Sequence, residues 1–291
     1  MNDMYTKDKV IKDGISTMKS LLIIFSAHDR MDKTRECLYS LDDIRYDIRY
    51  IAVDDGSVDK TAEMLRDFAR EKDRNVDILN GDGRLYWAGG MRKGMKYVLS
   101  KGIESDYVLL VNDDVKFYEN AIRKMTDTAD ANPGFCIVGA TCDKNGTGTY
   151  GGFRYNSHSV KETSIDMDDP DRSCDVANMN AFLMPYDVFC RIGMFDVHYT
   201  HKMADFDYCF ELNRNGIGVL VTDYYVGVCE KRTIKSTWED RDISRFERIR
   251  LKEDPKGLPA KEWFYFLRKN FGLKHAVWHS ITPYLRILMG K

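Results

Sequence analysis

The stretch IRYIAVDDGSVDKTAEMLRDFAREK, residues 48–72, holds one complete unit of the fold. IRYIAVDD (48–55) reads as a buried strand that stops on Asp54–Asp55–Gly56–Ser57. Asp59 stands where a side chain caps a helix, and TAEMLRDFAREK follows as that helix. The same unit recurs on both sides. LLIIFSA (21–27) is an earlier strand, ended by His28 and Asp29, and Asp32–Leu41 is its helix, with Asp32 as N-cap. VDILN (76–80) is a third strand; a glycine-rich loop, GDGRLYWAGG (81–90), leads from it into the helix MRKGMKYVLSKG (91–102). YVLLVN (107–112) is a fourth strand, and Asn112, Asp113 and Asp114 arrive at its end before apolar residues resume at Val115.

Strands alternating with helices of this length make βαβ units and a mostly parallel sheet, the α/β class. Ligands bind beyond the carboxyl ends of such strands. The polar strand ends therefore gather on one rim. Two adjacent carboxylates at the mouth of a core are costly if buried unpaired. Either they are solvated or they hold something positive.

Beyond residue 120 the rhythm changes. FCIVGATC (135–142) is a strand, residues 147–155 a turn-rich hairpin, and 156–174 a polar loop. VANMNAFLMPYDVFCRIGMFD (176–196) reads as strand then helix, breaking near Pro185. ADFDYCFELNRN (204–215) is a helix ended by Gly216, and GIGVLVTD (216–223) a final strand.

The 291 residues suffice for one large α/β domain, or one domain with a tail. A net charge of −2 argues against a nucleic-acid binder. That charge is unevenly spread: residues 231–291 carry 15 Lys+Arg against 7 Asp+Glu, a net +8, which leaves −10 on the preceding 230 residues. This basic, aromatic tail contains EWFYFLRKNFGLKHAVWHSITPYLRILMGK, which fits interfacial amphipathic helices or a dimer interface. The seven cysteines form no CxxC pair, so no zinc ribbon or thioredoxin-like site is expected. An N-terminal stretch too polar for a secretory signal, with no apolar run of about 18 residues, points to a cytoplasmic protein without a spanning helix.

Taken in order, LLIIFSAHDR, AVDDGSVDKT, NGDGRLYWAGGMRKGM, LLVNDDV, GMFD and ADFDYCFELNRNGIGVLVTD resemble a family 2 glycosyltransferase of the GT-A fold, over roughly residues 20–229. The similarity is to bacterial enzymes that build capsule, O-antigen or other cell-surface polysaccharides. It implies a GT-A domain over 1–230, with a nucleotide-binding half (about 20–118) and an acceptor-binding half (about 119–230), and a helical extension over 231–291.

The resemblance also implies an inverting transfer from a nucleotide-sugar donor, UDP favoured, to a glycan or lipid-linked glycan acceptor. This would take place at the inner face of the cell membrane, with peripheral attachment through the tail or a homodimer. Asp54 or Asp55 would meet the base or ribose, since a carboxylate only accepts, and uracil N3–H and ribose hydroxyls donate. Asn112–Asp113–Asp114 occupies the DxD position. Asp114 would hold Mg2+ or Mn2+ against the diphosphate, with Asn112 and Asp113 facing ribose. Arg84 or Arg92 would meet the diphosphate. Trp87, Gly89 and His201 would lie near donor or acceptor sugar. Asp205 would be the general base, supported by Asp207.

This sequence departs from the family twice. Ala204 stands where a Glu usually precedes the base, and Val228–Cys229–Glu230 stands where a metal-binding His is usual. Two other readings fit parts of the pattern: a non-catalytic glycan- or nucleotide-binding member, and a sugar nucleotidyltransferase. The second usually carries a glycine-rich, basic loop after strand one, where this chain has SAHDRMDK.

Overall fold

The computed structural model describes residues 18–156 and 159–291; most of the polar N-terminal stretch lies outside them. The first half follows the expected alternation: β1 (Ser20–Ala27), α1 (Met31–Leu41), β2 (Asp47–Asp54), α2 (Thr61–Glu71), β3 (Asn75–Asn80), α3 (Tyr86–Lys101) and β4 (Tyr107–Val111). β1 pairs in parallel with β2 and with β4, and β2 pairs in parallel with β3, so the order is β3-β2-β1-β4. The chain moves outward from β1 to β3, then returns to the other side of β1. The topological switch point lies between β1 and β4, where α/β sheets bind their ligands.

The second half adds β5 (Lys116–Phe117), α4 (Ala121–Ala131), β6 (Phe135–Cys142), β7 (Gly148–Tyr150), β8 (Gly152–Asn156), β9 (Lys161–Ser164), β10 (Val176–Ala177), β11 (Ala181–Pro185), α5 (Tyr186–Ile192), α6 (Ala204–Arg214) and β12 (Gly218–Val228). β11 runs antiparallel between β4 and β6, and β12 lies parallel to β6, so the sheet is mixed. β10, β8 and β9 form a small antiparallel sheet beside it.

Period-two alternation in β1 feeds two cores. Leu21, Ile23 and Phe25 face α1, α2 and α4, packing with Leu38, Leu65 and Phe68. Leu22 and Ile24 face α3 and meet Met91, Met95 and Val98. Each such buried side chain contributes roughly 1.5–3 kcal/mol. α3 can approach this closely because Gly90 and Gly94 lack side chains: an added Cβ would lie 2.1 Å from Ser26 Oγ and 2.6 Å from Ile24 Cγ2.

Several boundaries differ from the sequence expectation. α3 starts at Tyr86 rather than Met91, because Asp55 Oδ2 accepts the Tyr86 N–H at 3.0 Å and caps the helix from outside it. Asp32 lies inside the first turn of α1; Asp59 instead takes the Met31 N–H (3.0 Å) as well as the Thr61 N–H (2.9 Å), fastening two helix starts. Residues 161–164, expected as loop, pair with β8; all four are exposed, so no apolar alternation marks them. β12 runs on to Val228 through register shifts after Val221.

The tail forms three helices, α7 (Arg245–Glu253), α8 (Ala260–Phe271) and α9 (Leu273–Leu288). Phe266, Leu267 and Ala276 are buried in the same core as α3 and β6, so the change of composition at Lys231 is not a break in packing. Two buried cations fix the helices: Arg248 donates to the Trp238 carbonyl (2.8 Å) and Lys252 to the Leu258 carbonyl (2.8 Å). Among the described residues no helix is long and apolar enough to cross a membrane.

Candidate active site

The four parallel strands deliver their ends to one rim, as the sequence requires. At the end of β2, Asp55 is buried, and its oxygens accept the Gly83 N–H and the Tyr86 N–H, both at 3.0 Å. Asp54 Oδ1 accepts the Ser57 N–H at 3.0 Å. Both acids thus shape the loops of the rim. Gly81 is needed where it stands, since a Cβ there would lie 2.3 Å from Asp55 Oδ1. Gly89 is buried in the first turn of α3 and meets only ordinary contacts, so the close approach belongs to Gly81 and Gly90. Arg84 is exposed on the loop, whereas Arg92 donates to the Asp196 and Tyr199 carbonyls at 3.0 Å and clamps that turn.

At the end of β4, Asn112 Oδ1 accepts the Trp87 indole N–H at 2.7 Å. The Trp87 ring leans on Phe195 at 5.4 Å, and its backbone N–H points to His201 Nδ1 at 3.4 Å. Asn112, Trp87 and His201 are therefore one cluster. Burial, then Arg232, Lys202, Lys256 and Arg30, lower the His201 pKa to about 4, so the ring is neutral at pH 7.

The two carboxylates at the core's mouth hold something positive: the side chain of Arg30, just past β1. Its Nη1 lies 3.1 Å from Asp113 Oδ1 and 3.0 Å from Asp114 Oδ2. Thr34 Oγ1 donates to Asp113 Oδ2 at 3.0 Å, and Cys229 Sγ faces Asp114 Oδ1 at 3.7 Å. Burial raises Asp113 to about 6.

Mg2+ and Mn2+ favour a near-octahedral shell of oxygen ligands. Here Asp114 is already ion-paired, Asp113 turns toward Arg30 and Thr34, and Cys229 is a soft thiol whose pKa burial and Asp114 push up to about 12. Among the described residues no group of three or more His, Cys, Asp or Glu side chains is placed to hold a metal. This donor set does not suit a hard divalent cation.

The α6 pair separates. Asp205 is partly buried at the helix start, accepting the Phe206 N–H at 2.9 Å and a hydrogen bond from the Asn178 side chain. Burial raises its carboxyl to about 6. Asp207 is buried and turned to α8, bound by Lys269 Nζ at 2.7 Å and Asn270 Nδ2 at 3.0 Å. Both Asp207 oxygens hold α8 side chains, so it docks the C-terminal helices. Beside Asp205, Asn178 lines a cavity of about 650 Å3 with Tyr150, Gly151, Phe153 and Tyr225.

Sequence reasoning missed Arg30, Asn178, Lys202 and Arg232. Arg30 carried one faint signal, a cation just past the first strand in a chain that pairs strand ends across a switch point.

The description "Glycosyl transferase family 2" matches residues 22–187. No curated protein matches the chain by sequence. Among solved structures, the fold is similar to the mannosyltransferase PcManGT from Pyrobaculum calidifontis in complex with GDP-Man and Mn2+ (TM-score 0.59, 12% identity, 94% of this chain and 73% of that one). It is also similar to S. aureus TarS 1–349 in complex with UDP-GlcNAc (TM-score 0.56, 14% identity, 93% of this chain and 90% of that one). A third similar structure is GalNAc-T7 with UDP, GalNAc and Mn2+ (TM-score 0.55, 10% identity, 93% and 59%). With strand order, rim and family match in agreement, the chain belongs to glycosyltransferase family 2 and has the GT-A fold.

Proposed function

We propose that the protein is an inverting glycosyltransferase that moves a sugar from a UDP-sugar to a hydroxyl of a bacterial surface glycan. The observation that carries this reading is Asp205. It is a carboxylate hydrogen-bonded to neutral donors, with a pKa raised to about 6, beside a cavity wide enough for sugar units. A general base works best with a pKa near the working pH and contributes about 10²–10⁴-fold.

In the transfer, the acceptor hydroxyl oxygen bonds to the anomeric carbon from the face opposite the diphosphate. The bond from that carbon to the phosphate oxygen breaks, and its electron pair leaves with the nucleoside diphosphate. The hydroxyl proton passes to Asp205. Trp87, fixed by Asn112 and Phe195, offers a flat apolar face to a sugar ring. Asp54 and Asp55 retain acceptor capacity for uracil and ribose donors, and Arg84 lies on the loop beside them.

The acceptor is read as lipid-linked because of α9. Leu273, Val277, Ile281 and Leu285 recur every four residues and are 43–60% exposed, with Trp278 at 65%. Residues 273–291 contain no Asp or Glu but carry Lys274, Arg286 and Lys291. An anionic leaflet complements that face, whereas a second copy would bring like charges together. This complementarity supports the reading that the protein works at the cytoplasmic face of the membrane.

The test is a thermal shift against UDP, dTDP, GDP and CMP, followed by UDP release from UDP-sugars. A nucleotide at 100 times its Kd stabilises the fold by about 2.7 kcal/mol. UDP is expected to give the largest shift. A larger shift with GDP would move the donor class, and no shift with any nucleotide would sink the enzymatic reading.

A further inference from the structure

We infer that Arg30 is the cation this protein sets against the donor's diphosphate, at the Asn112–Asp114 motif where the family resemblance calls for a divalent metal ion. The inference rests on the nucleotide-sugar reading above. Four observations support it.

The first is place. Arg30 follows β1 and Asp113–Asp114 follow β4, so the ion pair spans the switch point of the sheet. The second is anchorage. One guanidinium nitrogen bridges two carboxylates, and the backbone around it is tied down: the Asp29 N–H donates to Ser57 Oγ at 3.0 Å and the Met31 N–H to Asp59 at 3.0 Å. The third is reach. The Arg30 side chain is 47% exposed, and a guanidinium carries five N–H donors in a fork that matches phosphate oxygens. The fourth is company. Lys202, Arg232 and Lys256 line a neighbouring cavity of about 330 Å3. With Arg30 they act by charge on His201, whose Nδ1 faces the Trp87 N–H at 3.4 Å.

A diphosphate entering this crevice meets the Arg30 guanidinium, held in place by two carboxylates. Pre-placed charge of this kind stabilises a departing anion without rearrangement at the moment of reaction. Cys229, in the position of the usual His, is the matching change: with Arg30 present, a hard-metal ligand there has no partner to complete. Asp113 and Asp114 then serve as positioning residues that hold the guanidinium.

The experiment is calorimetric binding of UDP to the whole chain, in excess EDTA and in Mn2+. The wild type is expected to bind in both, with Kd values within about threefold. Arg30→Gln removes the cation and is expected to weaken UDP in EDTA by about 100-fold. Because that variant also strips the partner from Asp113, Arg30→Lys is measured beside it. It keeps the charge but loses the fork, and is expected to weaken UDP about tenfold with the fold intact by circular dichroism. UDP binding that requires Mn2+, or Arg30 variants that bind UDP in EDTA as the wild type does, would overturn the inference alone. Failure of UDP to bind in either buffer would overturn the donor reading and the inference together.

Discussion

Asp113 and Asp114, after β4, share a single guanidinium, whereas Asp205 and Asp207, in the first turn of α6, have divided their surroundings. Arg30 bridges the first pair with one guanidinium nitrogen. In the second pair Lys269 takes Asp207, and Asp205 keeps only neutral hydrogen-bond donors. Identical side chains two residues apart thus acquire different chemistry. A paired carboxylate is a fastening; a partly buried one bound only by neutral hydrogen-bond donors is a base with a raised pKa. The comparison also separates the two ends of the reaction, with a cation fixed where negative charge would leave and an unpaired carboxylate where a proton would arrive.

The sharpest way to break the comparison is Asp205→Asn. Transfer is expected to fall by about 10²–10⁴-fold. Stability is expected to move the other way. The folded pKa of Asp205 is raised above its unfolded value, so this group contributes stability that is present below pH about 4 and lost as pH rises through about 6. Above pH 6 the Asn variant is therefore expected to be more stable than the wild type, by on the order of 1–3 kcal/mol, with the gain fading in acid. Denaturant unfolding at several pH values reads this directly.

Asp207→Ala tests the other member. It strips Lys269 and Asn270 of a partner and is expected to cost about 1–3 kcal/mol in unfolding experiments. Transfer per folded molecule is expected to stay within a few-fold of the wild type. A large fall in kcat without a loss of stability would erase the distinction between the two aspartates.

A smaller effect on chemistry is expected from α9. Trp278→Ser with Ile281→Ser removes apolar surface that is 65% and 50% exposed. Sedimentation with anionic vesicles is expected to fall, while transfer to a short soluble acceptor is unchanged. Vesicle binding as strong as that of the wild type would remove the membrane assignment.

Much of the first half of the fold was legible in the sequence. Short, largely apolar strands that end in acids or glycines and alternate with helices have few other homes than a parallel sheet, and β1–β4 lie as expected. Expectation and structure part where the deciding contact is distant in sequence. Nothing local announces that Asp55 will cap α3 at Tyr86, because the bond spans 31 positions. The Arg30 pair with Asp113 spans 83. β9 has no apolar alternation and exists because β8 offers it an edge. Asp205 and Asp207 look equivalent in ADFD; only the docking of α8, which occupies Asp207, tells them apart.

The central claim is that Asp205 takes the acceptor's proton. The measurement that meets it most directly is the rate of UDP release from a UDP-sugar with acceptor present, followed across pH for the wild type and Asp205→Asn. The account predicts a wild-type rate that rises as pH passes upward through about 6 and then levels, and a variant whose residual rate shows no such step. A variant that keeps both the rate and the step would contradict it.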